Sequence, residues 1–177
     1  MRVVGFAGFS GAGKTTLVEG VIAALRQRGL RVSVVKHAHH AFDIDHPGKD
    51  TWRHREAGAY EVVAASAGRM ALVRTFEQPQ ALTAHDLIRA LHPGVDWVLV
   101  EGFKDSNLLK IEVWRPSTER PARYPDDPFI VAIATDAADR LPEPTLRPAL
   151  DLNAPDAVAQ WLFDNESRFE YDPQAYV

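Results

Sequence analysis

Apolar positions along this chain follow two rhythms, and the alternation between them predicts the elements. Arg2-Val3-Val4-Gly5-Phe6-Ala7 is a nearly continuous apolar run, the pattern of a strand buried on both faces. Leu17, Val18, Val21, Ile22 and Leu25 then fall on one helical face, and Gly29 ends that helix. A second strand is expected at Arg31 to Lys36, making a βαβ crossover whose two strands pair in parallel. After a long polar stretch, a short helix is expected from Thr51 to Ala57, with Asp50 as N-cap and Gly58 as stop. Glu61 to Ala65 and Arg69 to Phe76 alternate like strands, and Ser66-Ala67-Gly68 between them predicts a hairpin. Leu82, Leu87, Ile88 and Leu91 mark a helix over Thr83 to Leu91, with Thr83 and Asp86 spaced as a capping box. Strands follow at Trp97 to Val100, Ile111 to Trp114 and Phe129 to Ala134, with a Pro-rich charged segment between the last two. A last helix is expected from Ala154 to Phe163, with Pro155 in its first turn and Asp151 or Asn153 as cap.

The alternation of strands and helices predicts a three-layer α/β/α fold with a mostly parallel central sheet. We expect one domain over residues 1–163, no internal boundary, and a C-terminal tail over 164–177 that is loose or packs on a partner. Composition adds exclusions. The 177 residues carry a net charge of −4, so polyanions such as nucleic acid can be met only through local basic clusters. With 0 cysteines, disulfides and thiolate metal sites are excluded, and a reducing cytoplasm is compatible. No apolar run approaches the roughly 18 residues of a membrane span, and no signal-peptide pattern precedes the first strand. A cytoplasmic location is therefore expected.

Chemistry concentrates where the first strand meets the first helix. Gly8-Phe9-Ser10-Gly11-Ala12-Gly13-Lys14-Thr15 fits G-x-x-x-x-G-K-[ST], the phosphate-binding loop, and Thr16 follows it. Glycines let backbone N–H groups close around an oxyanion. Lys14 reaches the β- and γ-phosphates, Thr15 ligates Mg²⁺, and the helix N-terminus adds its partial positive charge. Such a site needs a second acid at the carboxyl end of a neighbouring strand. Glu101 has that position, either near Mg²⁺, orienting an attacking water, or simply exposed. After Gly102, Lys104 is placed to point back towards the phosphates or a second ligand. Asp136, just past a strand, offers two oxygens to the N1–H and N2–H groups of guanine, a pairing adenine cannot make. It reads equally well as a turn or cap residue, and no Asn-Lys-x-Asp motif supports guanine.

The stretch after the second strand carries His37, His39, His40, Asp43, Asp45, His46 and Asp50. It suits a divalent transition metal, a Mg²⁺ contact through Asp43 or Asp45, or a switch sensing the γ-phosphate. A solvated polar loop is the plain alternative. Lys49, Arg53 and Arg55 form a local basic patch fit for a second phosphorylated ligand.

Taken in order, Gly8 to Thr16, the Lys36-His37-Ala38-His39-His40 block, Pro47-Gly48-Lys49-Asp50-Thr51-Trp52-Arg53, Val100-Glu101-Gly102-Phe103-Lys104, Lys110 to Val113 and Ala132 to Asp136 resemble the MobB family. The resemblance spans roughly Arg2 to Asp136. It implies a P-loop GTPase of the class that includes signal-recognition and metallochaperone enzymes. It further implies a homodimer that binds GTP with Mg²⁺, hydrolyses it slowly, and assists a partner joining GMP to the molybdenum-bound pterin. Carried over, Gly11, Gly13, Lys14, Thr15 and Thr16 bind phosphates and metal. Glu101 is the acid of the second motif, and Asp136 is the base contact. Asp45, Lys49, Asp50 and Arg53 face nucleotide or pterin. Slow turnover also fits the residues, because no Gln stands beside the phosphate loop to orient water; Arg53 or Arg55 is a candidate source of added charge. Two other functions share the motif: a small-molecule kinase or ligase, and a nickel or zinc metallochaperone, which the missing cysteines disfavour.

Overall fold

A computed structural model describes residues 1–38, 43–172 and 174 of the chain. The chain divides into two compact units, one formed by residues 1–37 and 83–177, the other by residues 38–82. The division departs from the expectation of an unbroken domain. Its cause is visible in the burial pattern: the hairpin and short helix of the second unit carry no fully buried residue.

The larger unit is built on a six-stranded sheet in the order β2-β5-β1-β6-β7-β8. Its strands are β1 (Arg2–Ala7), β2 (Val32–Lys36), β5 (Trp97–Glu101), β6 (Lys110–Val113), β7 (Ile130–Thr135) and β8 (Ala149–Asp151). All the pairings are parallel. The fold is thus the expected α/β arrangement around a parallel sheet, with two corrections. β1 and β2 are parallel but do not pair, because β5 lies between them. The short edge strand β8 went unpredicted; only Leu150 is apolar at its centre, too little to show a period.

Alternation along the strands sorts the core into layers. Val4, Phe6, Trp97 and Leu99 point to the face covered by α1 (Lys14–Gln27) and α4 (Pro155–Asp164). Val3, Val98 and Val100 point to the opposite face, where α3 (Ala84–Arg89) contributes Ala84 and Ile88. α1 buries Leu17, Val18, Val21 and Leu25, each worth about 1.5–3 kcal/mol in apolar surface removed from water. The helix packs closely on α4, where a Cβ on Gly20 would come within 2.5 Å of Pro155. The capping box of α3 is present as expected. On α4 neither expected side chain caps the helix; Asp151 instead accepts the Asn153 N–H at 2.8 Å.

The stretch expected to be a tail is part of this unit as far as Tyr171. Phe169 packs against Trp97 and Trp161, Tyr171 is buried, and Tyr171 N–H donates to Met1 O at 3.0 Å. Phe169 and Tyr171 alternate with polar residues over too short a stretch for a period to expose their burial.

The crossover from β6 to β7 contains no α-helix. Trp114 and Tyr124 from this irregular segment cover Ile130 and Ile133. Covering a sheet with loop leaves polar backbone to be satisfied. The sheet answers with two buried charged side chains, Lys110 and Glu112, each 1% exposed. Lys110 Nζ donates to Ser106 O and lies 3.1 Å from Asp127 Oδ2. Glu112 accepts from Arg123 N–H at 2.7 Å and Tyr124 N–H at 2.8 Å.

In the smaller unit, α2 spans Asp50–Glu56 and the hairpin joins β3 (Glu61–Ala65) to β4 (Met70–Arg74). Asp50 is the first helical residue rather than the cap, which is Lys49; its charge there favours the helix N-terminus. Val63 pairs with Leu72 and Ala65 with Met70, so one hairpin face presents these apolar side chains. Val63, Met70 and Leu72 are all exposed.

Candidate functional site: a phosphate loop under four strand ends

The candidate residues of the larger unit gather at the carboxyl ends of its strands, where open parallel sheets bind ligands. The loop leaves β1 at Gly8, whose φ is +141°; a Cβ there would sit 2.3 Å from Val113 O on β6. Only glycine lets the loop pass so close to the neighbouring backbone. Gly13, at φ +94°, is the N-cap of α1. The turn between them brings Ala12 N–H to Phe9 O at 3.3 Å, and Lys14 Nζ donates to the same oxygen at 2.8 Å.

Glu101 ends β5 in register with Phe6 on one side and Lys36 on the other. It is buried, which removes the reading of an exposed terminal acid. Its Oε1 accepts from Thr15 Oγ1 at 2.8 Å and lies 3.4 Å from Lys36 Nζ. Burial pulls the Lys14 ammonium below its ordinary value of 10.5; the Glu101 charge opposes this and the Lys36 charge adds to it. An incoming polyanion would relieve that depression. Thr15 and Glu101 together offer hard oxygen donors, the set that suits Mg²⁺ rather than a soft metal.

Further cations ring the loop. Lys104 Nζ lies 5.8 Å and the Arg120 guanidinium 5.7 Å from the Phe9 ring centroid. Arg115 follows β6, and its Nε is 3.4 Å from Asp136 Oδ2 beyond β7. Asp136 lines a cleft of about 340 Å³ with Pro116, Ser117, Ala137 and Arg140. Lys104 is therefore beside the Gly8–Gly13 loop. Lys36, Arg115 and Arg120 had been given no role from the sequence. The signal for Lys36 and Arg115 was available: each immediately follows or closes an apolar strand run, the same criterion that selected Glu101.

Asp45, Lys49, Asp50 and Arg53 belong to the smaller unit. There Asp45 accepts from Thr51 Oγ1 at 2.8 Å and pairs with Arg55 Nε at 3.3 Å. Asp43 pairs with Arg55 at 2.8 Å. The Asp45 N–H that it accepts, and then the Arg55 guanidinium beside it, hold the Asp43 carboxyl below the usual carboxylate range. These groups brace the entry to α2, so Arg55 is already committed to two carboxylates. Lys49, Asp50 and Arg53 are exposed, with Asp50 and Arg53 4.0 Å apart. His39 and His40 of the proposed metal set lie outside the described residues. Among the described residues, no three His, Asp or Glu side chains cluster to hold a metal. His37 stacks on Phe103, with ring centroids 4.6 Å apart.

Residues 3–136 match the family MobB, molybdopterin guanine dinucleotide synthesis protein B. The chain belongs to the MobB family. A Haemophilus influenzae relative, a molybdopterin-guanine dinucleotide biosynthesis adapter protein, is 38% identical over 90% of this chain and 86% of its own length. An Escherichia coli relative of the same name is 35% identical, covering 92% of this chain and 91% of itself. A crystal structure of a MobB homologue from Bacillus stearothermophilus superposes with a TM-score of 0.71 at 27% identity. It covers 96% of this chain and 100% of the homologue. The Bacillus subtilis MobB structure shares the fold at a TM-score of 0.71 and 22% identity, covering 97% and 100%. The family match ends at Asp136, the residue that closes the candidate site. No helix among the described residues is long and apolar enough to cross a membrane.

Proposed function

We propose that this chain is a GTP-binding adapter of molybdopterin-guanine dinucleotide biosynthesis, with weak intrinsic GTPase activity that uses Mg²⁺. The observation that carries the reading is the cluster of Thr15, Glu101 and Lys36 at the head of α1, which Lys14 opens. In this reading Lys14 exchanges Phe9 O for the β- and γ-phosphates. Thr15 holds Mg²⁺, and Glu101 contacts its water shell. The metal supplies charge neutralisation across the phosphates. Lys36 provides a second ammonium on the side of Glu101 away from β1, the role first sought in Arg53 or Arg55. Asp136 reads guanine from the neighbouring cleft. Lys49, Asp50 and Arg53 remain candidates for contact with the pterin or its carrier.

Slow hydrolysis follows from what the loop lacks. Strong catalysts of this reaction also orient the attacking water in the transition state. Here Glu101 is engaged by Thr15 and Lys36, and among the described residues no Gln is seen to bond it. The relatives are named adapter proteins of molybdopterin-guanine dinucleotide biosynthesis, which supports a partner enzyme in that synthesis. The exposed apolar face of the β3–β4 hairpin supports pairing of two copies into a homodimer. A cytoplasmic site of action fits a chain with 0 cysteines.

The test is calorimetric titration with GTP and with ATP, each with Mg²⁺, followed by single-turnover hydrolysis. Preference for GTP with turnover well below that of a dedicated kinase is the expected result. Equal or tighter ATP binding, with transfer to an acceptor, would replace this reading by the kinase one.

A further inference from the structure

Sheet order puts β6 between β1 and β7, so the residue that follows β6 stands between the phosphate loop and the end of β7. That residue, after Trp114, is Arg115. Its guanidinium lies against Gly13: a Cβ built there would meet Nη2, Cζ and Nε at 3.7–3.8 Å. The φ of +94° already favours glycine, and its bare Cα gives the flat guanidinium a surface to rest on. On its other side Arg115 Nε is 3.4 Å from Asp136 Oδ2. The two side chains are 30% and 33% exposed, so water screens the pair only in part.

Two details favour a positioning role over a simple surface ion pair. Arg115 Nε is buried yet makes no hydrogen bond, so its contact with Asp136 is electrostatic and consumes no lone pair of the carboxylate. An ionised carboxylate has about four acceptor positions, and these stay open towards the cleft shared with Ser117 and Ala137. Both backbones are also tied down. Arg115 O accepts from Thr118 Oγ1 at 2.8 Å, and Thr135 Oγ1 accepts from Ala137 N–H at 3.1 Å.

We propose that Arg115 is a positioning residue for guanine recognition: braced on Gly13, it holds the Asp136 carboxylate in the one orientation that accepts both N1–H and N2–H of the base. The inference rests on the reading of Asp136 as base contact. It links the two halves of the nucleotide site, since the strut that orients the base reader is seated on the loop that takes the phosphates. Lysine can replace it only in part, because an ammonium keeps the charge facing Asp136 but lacks the planar surface that rests on Gly13.

The experiment compares GTP, ITP and ATP binding by the full-length protein and by Arg115→Ala, Arg115→Lys and Asp136→Asn. ITP lacks only the N2 amino group, and phosphate contacts cancel in the ratio of ITP to GTP dissociation constants. In the wild type that ratio is expected at about ten or more, the worth of one hydrogen bond to a charged group. Arg115→Ala should lower it to near unity, Arg115→Lys should lower it in part, and Asp136→Asn should abolish it. The double variant should lose no more than Asp136→Asn alone. An unchanged ratio in Arg115→Ala, with all three nucleotides weakened alike, would make Arg115 a phosphate contact and overturn the proposal. A ratio lost in Arg115→Ala but kept in Asp136→Asn would show that Arg115 acts through an acceptor other than Asp136, since a guanidinium cannot itself accept from the N2 amino group, and also overturns it. A wild type that binds all three nucleotides equally would remove the reading of Asp136 on which the inference stands. Should Arg115→Ala melt below the assay temperature, the ratio in Arg115→Lys and Arg115→Gln decides in its place.

Discussion

Replacing Glu112 by alanine is expected to destabilise the larger unit by about 2–5 kcal/mol. The carboxylate is 1% exposed and accepts two backbone N–H groups, from Arg123 at 2.7 Å and Tyr124 at 2.8 Å. Alanine leaves both donors without a partner, and an unpaired buried donor costs about 1–3 kcal/mol. Part of that loss is returned, because a buried charge no longer has to be desolvated. For a chain of this size the melting temperature should fall by about 5–15 °C. Glu112→Gln keeps one carbonyl acceptor and should lose about half as much. Thermal and urea unfolding followed by circular dichroism at pH 7 measures both. Burial raises the Glu112 pKa above the usual 4.5, while the two N–H groups and the Arg123 charge act to lower it and Asp127 acts to raise it. The folded state therefore holds its proton to higher pH than the unfolded chain does. Stability due to this group is complete below 4.5 and declines as pH rises from there through the folded pKa. The difference in stability between wild type and Glu112→Gln should show that decline. A loss below about 0.5 kcal/mol in Glu112→Ala would refute the reasoning, since it would mean that water or another acceptor replaces the carboxylate.

Three further outcomes are expected. Lys14→Ala should weaken triphosphate binding by about two orders of magnitude with the melting temperature nearly unchanged, because among the described residues Nζ donates to Phe9 O, on the loop itself; a large drop in melting temperature would give Lys14 a structural role instead. Glu101→Gln keeps an acceptor for Thr15 but removes the charge facing Lys36. Its GTP affinity should lose most of its enhancement by Mg²⁺, while binding in a chelator is maintained or improved; calorimetry that finds the full Mg²⁺ enhancement would exclude Glu101 from the metal's surroundings. Leu72→Glu places a charge in the centre of the exposed hairpin face, opposite Val63. Sedimentation should then find a monomer where the wild type is a dimer, and a variant that still dimerises would put the interface elsewhere.

What the chain determines by itself is the local part of this account. The phosphate loop follows from glycines at fixed spacing, because positive φ at Gly8, Gly11 and Gly13 is a property of those residues alone. β1 was legible from end to end, and so were the hairpin and the capping box of α3, since each depends on neighbours within a few positions. Glu101 was legible for a related reason: a carboxylate closing a buried run must emerge at a strand end. Tertiary structure decided what depends on strand order. Nothing local says that β5 would separate β1 from β2, and it is this insertion that sets Glu101 between Phe6 and Lys36. The same holds for Arg115, whose place between Gly13 and Asp136 exists only because β6 lies between β1 and β7. Lys110 and Glu112 look like solvent-facing strand residues in sequence. They are buried under the loops that flank β6: Lys110 donates to Ser106 O of the β5–β6 connection and faces Asp127, and Glu112 accepts two N–H groups of the β6–β7 crossover.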